Sequence, residues 1–188
     1  MSDLWAEAEF ERIFREHYPH IIRVTRRVLR RDSEAEEICA EVFLRLYRSG
    51  RGVAAAGLVG GWLYRTATRA SIDALRANQR RGVEEELDVD GQAQGESLTD
   101  GPLALLLRQE RIAEVRDVLA RLKVEKAQIL LLRHNGLSYQ EIAEAMRLNP
   151  RSVGKNLARA EAEFSALYRR HYQRRTKASQ LETAKERP

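Results

Sequence analysis

The sequence predicts an all-α protein made of two small helical domains joined by a flexible acidic linker. Three observations predict this fold class. Apolar residues recur at helical spacing in both halves of the chain, no segment alternates convincingly as a strand, and residues 82–101 carry 7 acidic and no basic side chains. The flanking stretches, 11–81 and 102–175, each carry 15 basic and 8 acidic side chains. We predict a first domain at 8–81, the linker at 82–101, a second domain at 102–172 and a polar tail at 173–188.

The acidic stretch also holds 4 of the 11 glycines, and its few apolar residues show no periodicity. Such a segment has no hydrophobic face to bury, which is typical of a flexible connector. The alternative is a solvated loop within one domain. Structureless loops of about 20 residues are uncommon inside a compact domain, so the two-domain interpretation is favoured.

Composition limits the class of protein. Of the 33 basic residues, 28 are Arg, and the net charge is +5. Because the planar guanidinium fork matches phosphate and carboxylate, this balance favours a polyanionic partner. The single cysteine, Cys39, excludes an internal disulfide framework and a Cys-based zinc site. No stretch of 18 apolar residues exists, and the acidic, amphipathic N-terminus is unlike a secretory signal. We therefore expect a cytoplasmic protein with no membrane insertion.

The first half reads as three helices. Helical periodicity starts near Phe10 and reaches Val28, and Pro19 should kink this helix or divide it in two. Ser33 and Glu36 form an S-x-x-E capping box for the second helix. A loop rich in Gly and Ala, residues 49–61, then precedes a third helix with alanines on one side and arginines on the other.

The second half opens at Pro102, a favourable first-turn residue. A long helix with an apolar stripe follows, and then a shorter helix that ends before Asn135-Gly136. This pair is also the strongest short hairpin signal. A further capping box directly after it makes Gly136 the expected C′ residue of a helix instead. The stripe comprises Ile112, Val115, Leu119 and Leu122, the box comprises Ser138 and Glu141, and the last helix starts at Asn149 (N-cap) and Pro150 (first turn).

Residues 137–160 have the spacing of a helix-turn-helix. The small residue Ala143 lets two helices approach closely, and Val153 and Leu157 would face inward. Basic residues at i, i+4 and i+8 form one stripe on the opposite face, as a recognition helix in a major groove requires. An ordinary helical hairpin with a solvated basic face is the alternative. The candidate DNA contacts are Arg151, Ser152, Lys155, Asn156 and Arg159.

Two segments resemble the sigma-70 family of bacterial RNA polymerase subunits, most closely its extracytoplasmic-function (ECF) branch. AEEICAEVF at 35–43 is similar to the region 2 run A-E-D-L-V-Q-E-V-F. WLYRTATR at 62–69, followed by Ile72-Asp73 and Arg76, is similar to W-L-Y-R-I-A-x-N with I-D-x-x-R. LLLRHNGLSYQEIAEAM in the second half is similar to L-L-R-x-x-G-L-S-Y-E-E-I-A-E-x-L of region 4. The resemblance covers roughly residues 8–81 and 103–170.

The resemblance implies a region 2 helical bundle, a region 4 helix-turn-helix, and a sigma factor's function. Such a protein binds core polymerase, directs it to specific promoters and assists strand opening. The first domain would bind the core enzyme, on the clamp of the largest subunit, and the −10 element. The second would bind the −35 element as duplex. The implied partners are the polymerase core, promoter DNA and, in members regulated that way, an anti-sigma factor.

The resemblance and the residues point to two sites in the first domain. Glu37 and Glu41 lie at i, i+4 on one face, with Glu34 one turn earlier, and suit a basic surface on the core enzyme. A solvated acidic face is the alternative. In the third helix aromatic platforms alternate with cations, which is how proteins hold unstacked bases. Core packing is the alternative for the two aromatics. The candidate −10 contacts are Arg51, Trp62, Tyr64, Arg65, Arg69, Arg76 and Arg80.

The sequence departs from the family pattern at several positions. Ala40 replaces a Gln, Arg69 an Asn and Arg147 the turn Gly, while Gly154 lies in the recognition helix. A Gly inside a helix costs about 1 kcal/mol relative to Ala. We expect these changes to alter the −35 sequence that is read more than the fold.

Rival functions find little support. His17 and His20 lie at i, i+3, but no third or fourth metal ligand is placed with them, and Pro19 intervenes. No Gly-rich phosphate loop, nucleophile elbow or paired-carboxylate motif occurs, so we expect no enzyme, no metal and no cofactor. The alternatives that stay open are a free-standing helix-turn-helix regulator that binds duplex DNA without polymerase, and a sigma-like protein that has lost promoter activity.

Overall fold

The computed structural model describes residues 7–49, 59–81 and 102–185, with side chains over 7–49, 59–81 and 106–173. These residues form seven helices and no strand, which confirms the all-α prediction. The helices are α1 (Glu7–Val28), α2 (Asp32–Ser49), α3 (Val59–Arg81), α4 (Pro102–Arg121), α5 (Val124–His134), α6 (Tyr139–Met146) and α7 (Pro150–Lys185). The predicted linker lies outside the described residues. Helix α7 continues through most of the predicted polar tail.

Helix α1 is continuous through Pro19, so of the two effects expected of this proline, a kink or a division into two helices, the division does not occur. Ile13 before the proline and Ile21 after it are both buried. Core packing on both sides of the proline offsets the lost backbone hydrogen bond. Phe14 extends the same apolar face, since its ring lies edge-on to that of Phe43 in α2, with centroids 4.8 Å apart.

The prediction that Ser33 and Glu36 form a capping box is wrong. Helix α2 begins at Asp32, so Ser33 lies inside its first turn. The Glu36 carboxylate accepts a hydrogen bond from Nη2 of Arg26 at 3.1 Å rather than turning back to the helix end. An ion-pair partner on a neighbouring helix has replaced the local partner that the S-x-x-E pattern predicts.

The loop between α2 and α3 is shorter than the predicted 49–61. Ser49 belongs to α2, and Val59, Gly60 and Gly61 form the first turn of α3. Leu63 and Ile72 of α3 are fully buried. Helix α3 packs against α1 and α2, and the three helices form the first domain.

The caps in the second half are as expected. Gly136 has φ +88° and follows α5 as its C′ residue. Its N–H donates to the Arg133 carbonyl at 3.0 Å, and the Leu137 N–H donates to the Leu132 carbonyl at 3.2 Å, which together make a Schellman motif. Ser138 and its partner three residues later form a complete capping box on α6. The hairpin alternative for Asn135-Gly136 is therefore excluded.

Only part of the apolar stripe predicted for α4 is core. Leu119 and Leu122 are buried, whereas Ile112 and Val115 are more than a third exposed. The C-terminal end of α4 lies against the first domain and the α5 helix, while Leu106 and Leu107, earlier in the helix, are about half exposed.

The two domains pack directly against each other, which the sequence did not predict. Leu122, Ala127 and Leu131 of the second domain belong to the same apolar cluster as Leu63 and Ile72 of the first. Helix α3 is central to this arrangement, since it contacts α4, α5 and α6 as well as α1 and α2. A separate cluster of buried residues holds α5, α6 and α7 together.

Candidate nucleic-acid and protein interfaces

The basic stripe on α7 is exposed in full. Val153 and Leu157 point inward and are buried, while Arg151, Lys155 and Arg159 face solvent. Within the part of the chain whose side chains are described, none of the three cations forms an ion pair. Their charge is therefore available to an external anion such as a phosphate backbone.

The start of α7 is fixed by local chemistry. Asn149 is the N-cap, and its Oδ1 accepts the backbone N–H of Arg151 at 2.9 Å. Pro150 occupies the first helical position, where its missing N–H costs nothing. The Ser152 hydroxyl donates to the Asn149 carbonyl at 2.7 Å, which binds this side chain to the turn. Asn156, half-buried, lies beside the stripe one helical turn further on.

Helix α6 is held at both ends. At its start, the Ser138 N–H donates to Oε2 of Glu141 at 2.7 Å, and the Glu141 N–H donates to the Ser138 hydroxyl oxygen at 3.3 Å. These bonds favour the ionised carboxylate and lower the pKa of Glu141. At its end, Arg147 adopts a left-handed conformation with φ 55°. The Leu148 N–H then returns to the Ala143 carbonyl at 2.8 Å, so the turn has the tight geometry of a helix-turn-helix.

The ring of Tyr139 in the preceding helix lies beside Gly154. A Cβ placed at this position would lie 3.5 Å from Cε2 of Tyr139, an ordinary van der Waals distance. The guanidinium of Arg133 also lies over this ring, 5.5 Å from the Tyr139 ring centroid. The glycine is therefore not required by the space around it.

The aromatics proposed for −10 contact are partly packed away. Trp62 is half-buried against the shared apolar cluster. Tyr64 is half-buried between the two clusters, and this burial raises its pKa. Burial, with a smaller effect from Arg147, lowers the pKa of the Arg65 guanidinium. The second domain thus lies close to two of the residues expected to meet DNA.

The remaining arginines of α3 have different surroundings. Arg69 is exposed, with its Nε 3.9 Å from Oδ2 of Asp73, and Arg80 is exposed near the end of the helix. Arg76 turns toward α4, where Nε donates to the Ala120 carbonyl at 2.9 Å and Nη2 donates to the Leu122 carbonyl. Arg51 lies outside the described residues.

The acidic residues of α2 divide into two kinds. Glu37 and Glu41 are exposed, and Glu41 accepts hydrogen bonds from Arg45 of the same helix at 3.1 and 2.5 Å. Glu34 is half-buried, and both of its carboxylate oxygens accept from Nδ2 of Asn78, at 2.9 and 3.0 Å. Glu34 therefore fastens α2 to α3, whereas the other two present their carboxylates at the surface.

Sequence reasoning missed a basic pocket at the domain junction. Its volume is about 180 Å³, and it is lined by residues that include His20, Arg23, Arg27, Tyr64 and His134. None of its lining residues is acidic. The spacing of Arg23 and Arg27 at i, i+4 was visible in the sequence, but the α5 residues that complete the pocket come from the other domain.

The metal alternative for His17 gains no support. Its pKa is lowered, chiefly by burial. Over the described ranges, no group of three or more His, Cys, Asp or Glu side chains could hold a metal ion.

Among the described helices, none is both long enough and apolar enough to cross a bilayer.

Comparison with known proteins matches both halves of the chain. A family model described as sigma-70 region 2 matches residues 13–81, and one described as sigma-70, region 4, matches residues 112–164. The ECF RNA polymerase sigma factor SigE of Mycolicibacterium smegmatis is 24% identical over 171 residues, which cover 90% of this chain and 65% of that protein. The RNA polymerase sigma-H factor of Pseudomonas aeruginosa is 29% identical over 133 residues, 68% of this chain and 69% of that protein. The chain thus spans slightly under two thirds of the length of the first of these relatives.

Proposed function

The chain belongs to the sigma-70 family, and from this premise we propose that it is a promoter-specificity subunit of bacterial RNA polymerase. In this function it binds the core enzyme, directs it to specific promoters and assists strand opening when transcription starts. It acts by binding, without a catalytic group or a cofactor, and it acts in the cytoplasm, where bacterial DNA lies.

The two domains divide this work. The first domain (8–81) binds the clamp of the largest core subunit through Glu37 and Glu41, and it holds the −10 element. The second domain (102–172) binds the −35 element as duplex in the major groove. Residues 82–101 connect the two and remain extended on a promoter, and the tail at 173–188 follows the second domain. An anti-sigma factor that occupies the same surfaces stays a prediction of the family resemblance.

One observation carries the proposal furthest. Arg151, Lys155 and Arg159 form an exposed stripe, without ion pairs among the described side chains, on a helix whose start is capped and whose opposite face is buried. A rigid, outward row of donors is what reading a major groove requires. Surface cations on a helix without a capped start and a buried opposite face would instead favour the alternative interpretation, a solvated basic face that binds no DNA.

The test is reconstitution with purified core polymerase, followed by run-off transcription on a genomic library. On a promoter that depends on its −35 element, alanine at a phosphate-contacting member of the stripe should weaken binding evenly across sequences. It should also reduce the slope of log affinity against log salt by about one. Alanine at a base-reading member should relax sequence preference, at a cost of roughly 1–3 kcal/mol.

Arg169 and Arg170 provide the matched control, because they are exposed cations on the same helix outside the helix-turn-helix. Alanine at both should leave −35 recognition unchanged. Normal transcription by all three stripe variants would contradict the assignment of α7 as the recognition helix.

The second candidate is a free-standing regulator, and the exposure of the stripe in the packed arrangement favours it. A regulator of this kind binds duplex specifically without core enzyme, and the length of its linker does not affect this binding.

For a sigma factor, the length of the linker matters, because fully extended residues 82–101 reach at most about 66–72 Å. Removing about ten of these residues should abolish strand opening while core binding is largely kept.

A further inference from the structure

The basic pocket at the domain junction gathers cations to which the proposed function gives no role. Its α1 wall carries His20, Arg23 and Arg27, which share one helix face because they lie at i, i+3 and i+7. Tyr64 of α3 and His134 of α5 lie on the other walls. Each of these five side chains can donate a hydrogen bond, and none is a carboxylate. The pocket therefore offers donors and positive charge to a ligand.

The two arginines are brought together without an acidic partner. Arg23 and Arg27 lie one helical turn apart, where like charges repel each other. Arg23 is exposed, and over the part of the chain whose side chains are described neither arginine forms an ion pair. A pocket with two such cations and no lining carboxylate is electrostatically incomplete without an anion.

Arg27 is held in position by neutral acceptors. Its Nη1 donates to Oδ1 of Asn135 at 2.9 Å, and Nδ2 of Asn135 donates to the Leu131 carbonyl at 2.8 Å. A guanidinium has five N–H donors, so the donors on Nε and Nη2 of Arg27 stay open to a further acceptor. The alternative is that Arg27 only stabilises the end of α5, but that role does not explain Arg23.

The end of α5 does not repel an anion as an open helix end would. The last carbonyls of a helix carry partial negative charge, but the carbonyl of His134 faces Nη1 of Arg27 at 3.4 Å. Three further carbonyls accept backbone N–H groups from the residues that follow the helix, and they belong to Leu131, Leu132 and Arg133. With these oxygens occupied, the charge of the arginines dominates the pocket.

Tyr64 adds a donor that stays neutral. Burial, and then the charge of Glu141, raise the pKa of its hydroxyl, while Arg23 lowers it. The net shift is upward, so the hydroxyl keeps its proton at neutral pH and can donate it to an anion. The Glu141 carboxylate accepts the Ser138 N–H at 2.7 Å and does not line the pocket.

Packing fixes the walls of the pocket. Gly61, one turn before Tyr64 on α3, lies against α6, where an added Cβ would be 3.2 Å from both N and Cα of Ala145. Gln128 of α5 is buried, and its Nε2 donates to the Arg65 carbonyl at 3.0 Å. Because the helices are held at these distances, a ligand has to order little of the protein when it binds.

The size of the pocket selects a small anion. Its volume is about 180 Å³, whereas pockets for drug-sized ligands measure about 300–1,000 Å³. One or two phosphate groups fit such a volume, and a whole nucleotide does not. Arginine is suited to this ligand, since its planar fork pairs with phosphate oxygens through parallel hydrogen bonds.

We propose that this pocket is a binding site for a diphosphate group, carried by free pyrophosphate or by the end of a nucleotide. Arg23 and Arg27 each pair with one phosphate, and Tyr64 and the two histidines donate to the remaining oxygens. A phosphate of the DNA backbone bears a single charge and is flanked by sugars, so it suits a recess with two arginines less well. The inference does not depend on the proposed function, because the free protein can bind the ligand.

Calorimetric titration of the full-length protein with sodium pyrophosphate, in magnesium-free buffer, tests the site. Arg23→Gln should raise the Kd at least about tenfold, because it removes a charged hydrogen-bonding partner. Arg23→Lys, which keeps the charge and loses the fork, should recover part of the affinity. Arg23 is exposed, so both variants should keep the helix content of the unsubstituted protein by circular dichroism.

Arg12→Gln is the matched control. Arg12 is an exposed arginine on the same helix and does not line the pocket, so its loss should leave the Kd unchanged. Titration with a nucleoside diphosphate separates the two carriers: tighter binding than pyrophosphate assigns the site to a nucleotide, and weaker binding assigns it to free pyrophosphate.

The histidines report where the ligand lies, since the chain has only four. Pyrophosphate should shift the ring signals of His20 and His134 in NMR spectra. The signals of His171, which lies 3.9 Å from Asp117 and outside the pocket, should not move.

Three results would overturn the proposal: no saturable binding, an equal loss of affinity in Arg12→Gln, or sulfate binding as tightly as pyrophosphate at the same ionic strength. Unmoved signals of His20 and His134 would place the ligand elsewhere and overturn it too. If a short duplex oligonucleotide displaces pyrophosphate, and Arg23→Gln weakens both ligands equally, the pocket holds a backbone phosphate of DNA and the diphosphate assignment fails.

Discussion

Arg147 lies in the left-handed region at the end of α6, with φ 55° and ψ 45°. This conformation costs a residue with a Cβ roughly 1–2 kcal/mol. Arg147→Gly removes that cost but adds backbone entropy to the unfolded chain. We expect it to raise the free energy of unfolding by about 1 kcal/mol, measured by urea denaturation.

Gly136 supplies the opposite control, since its φ is +88° and, beyond its chain neighbours, no described atom lies within 4 Å of the place a Cβ would occupy. Gly136→Ala should lower the free energy of unfolding by about 1 kcal/mol through backbone strain alone. An unchanged or lowered stability for the Arg147 variant would mean that its side chain contributes contacts that outweigh the strain.

Cys39 illustrates how burial determines reactivity. The side chain is fully buried, and burial is the main cause that raises its pKa to about 11. At pH 8 about one thiol in a thousand is then ionised, against roughly a quarter for an exposed thiol of pKa about 8.5. Native protein should therefore react with a thiol reagent only after denaturant is added, as followed by absorbance.

The raised pKa of Cys39 also makes the free energy of unfolding depend on pH. Because the folded state holds this proton more tightly, the contribution is present in full below the unfolded pKa and is lost as pH rises from about 8.5 to about 11. Rapid labelling of native protein at pH 8 would contradict the burial of Cys39.

Single residues differ in how far the sequence reveals their roles. Ser138, Gly136 and Asn149 were predictable, because a cap or a positive φ depends on neighbours within a few positions. Glu34 and Arg76 were not, since their partners, Asn78 and the α4 carbonyls, are more than 40 residues away along the chain. Long-range hydrogen bonds leave no local pattern.

At the scale of helices, α2 presents the surface proposed for core polymerase. Reversing Glu37 and Glu41 to Arg should weaken association with the core enzyme by several kcal/mol, because like charges would then face each other. The reversal at position 41 also removes the i, i+4 ion pair between Glu41 and Arg45. Loss of this pair costs the helix only a few tenths of a kcal/mol. Association can be measured by titration of labelled protein.

Glu34→Gln is the matched control on the same helix. It removes one charge but keeps an oxygen that can accept from Asn78. Core affinity should change little. Wild-type affinity in the double reversal, or an equal loss in the control, would assign core binding to a different surface.

The sequence predicted the helices better than their ends. Apolar periodicity located the central part of each helix. Helix α3, however, begins at Val59 rather than after Gly61. Packing holds its first turn, and the Gly-rich composition does not reveal that packing. Pro19 did not divide α1, and Ser33 did not cap α2. In each case tertiary contacts outweighed a local preference.

At the scale of the whole molecule, the two domains share a core. Leu63 and Ile72 lie in one cluster with Leu119 and Leu122. Domains that share buried surface should unfold together, so calorimetry should give a single cooperative transition. Gly61→Leu, which places a side chain where 3.2 Å separates a Cβ from the opposing backbone, should split or broaden it.

Gly60→Ala should keep the single transition and raise stability slightly, since its Cβ meets only a side-chain atom at ordinary distance and Ala favours a helix. Two well-separated transitions in the unsubstituted protein would contradict a shared core.

The packing of the domains could not have been predicted from the sequence. Both are basic, with 15 basic and 8 acidic side chains each over 11–81 and 102–175, and charge alone would hold them apart. The contact depends on Gly61, Ala145 and Gln128, none of which belongs to a motif that signals a partner. Complementarity of shape emerges only when both surfaces are folded.

Gly61 also makes the close approach of α3 to α6 easy to lose by mutation. Glycine is the smallest residue, so every substitution at this codon enlarges the side chain, and none can deepen the contact with Ala145. Substitutions that separate the two domains should therefore concentrate at this position and at Ala145, whereas only glycine at position 61 restores the close approach. A collection of independent variants with a weakened domain contact would be expected to cluster at these two positions, on α3 and α6, away from the basic stripe of α7.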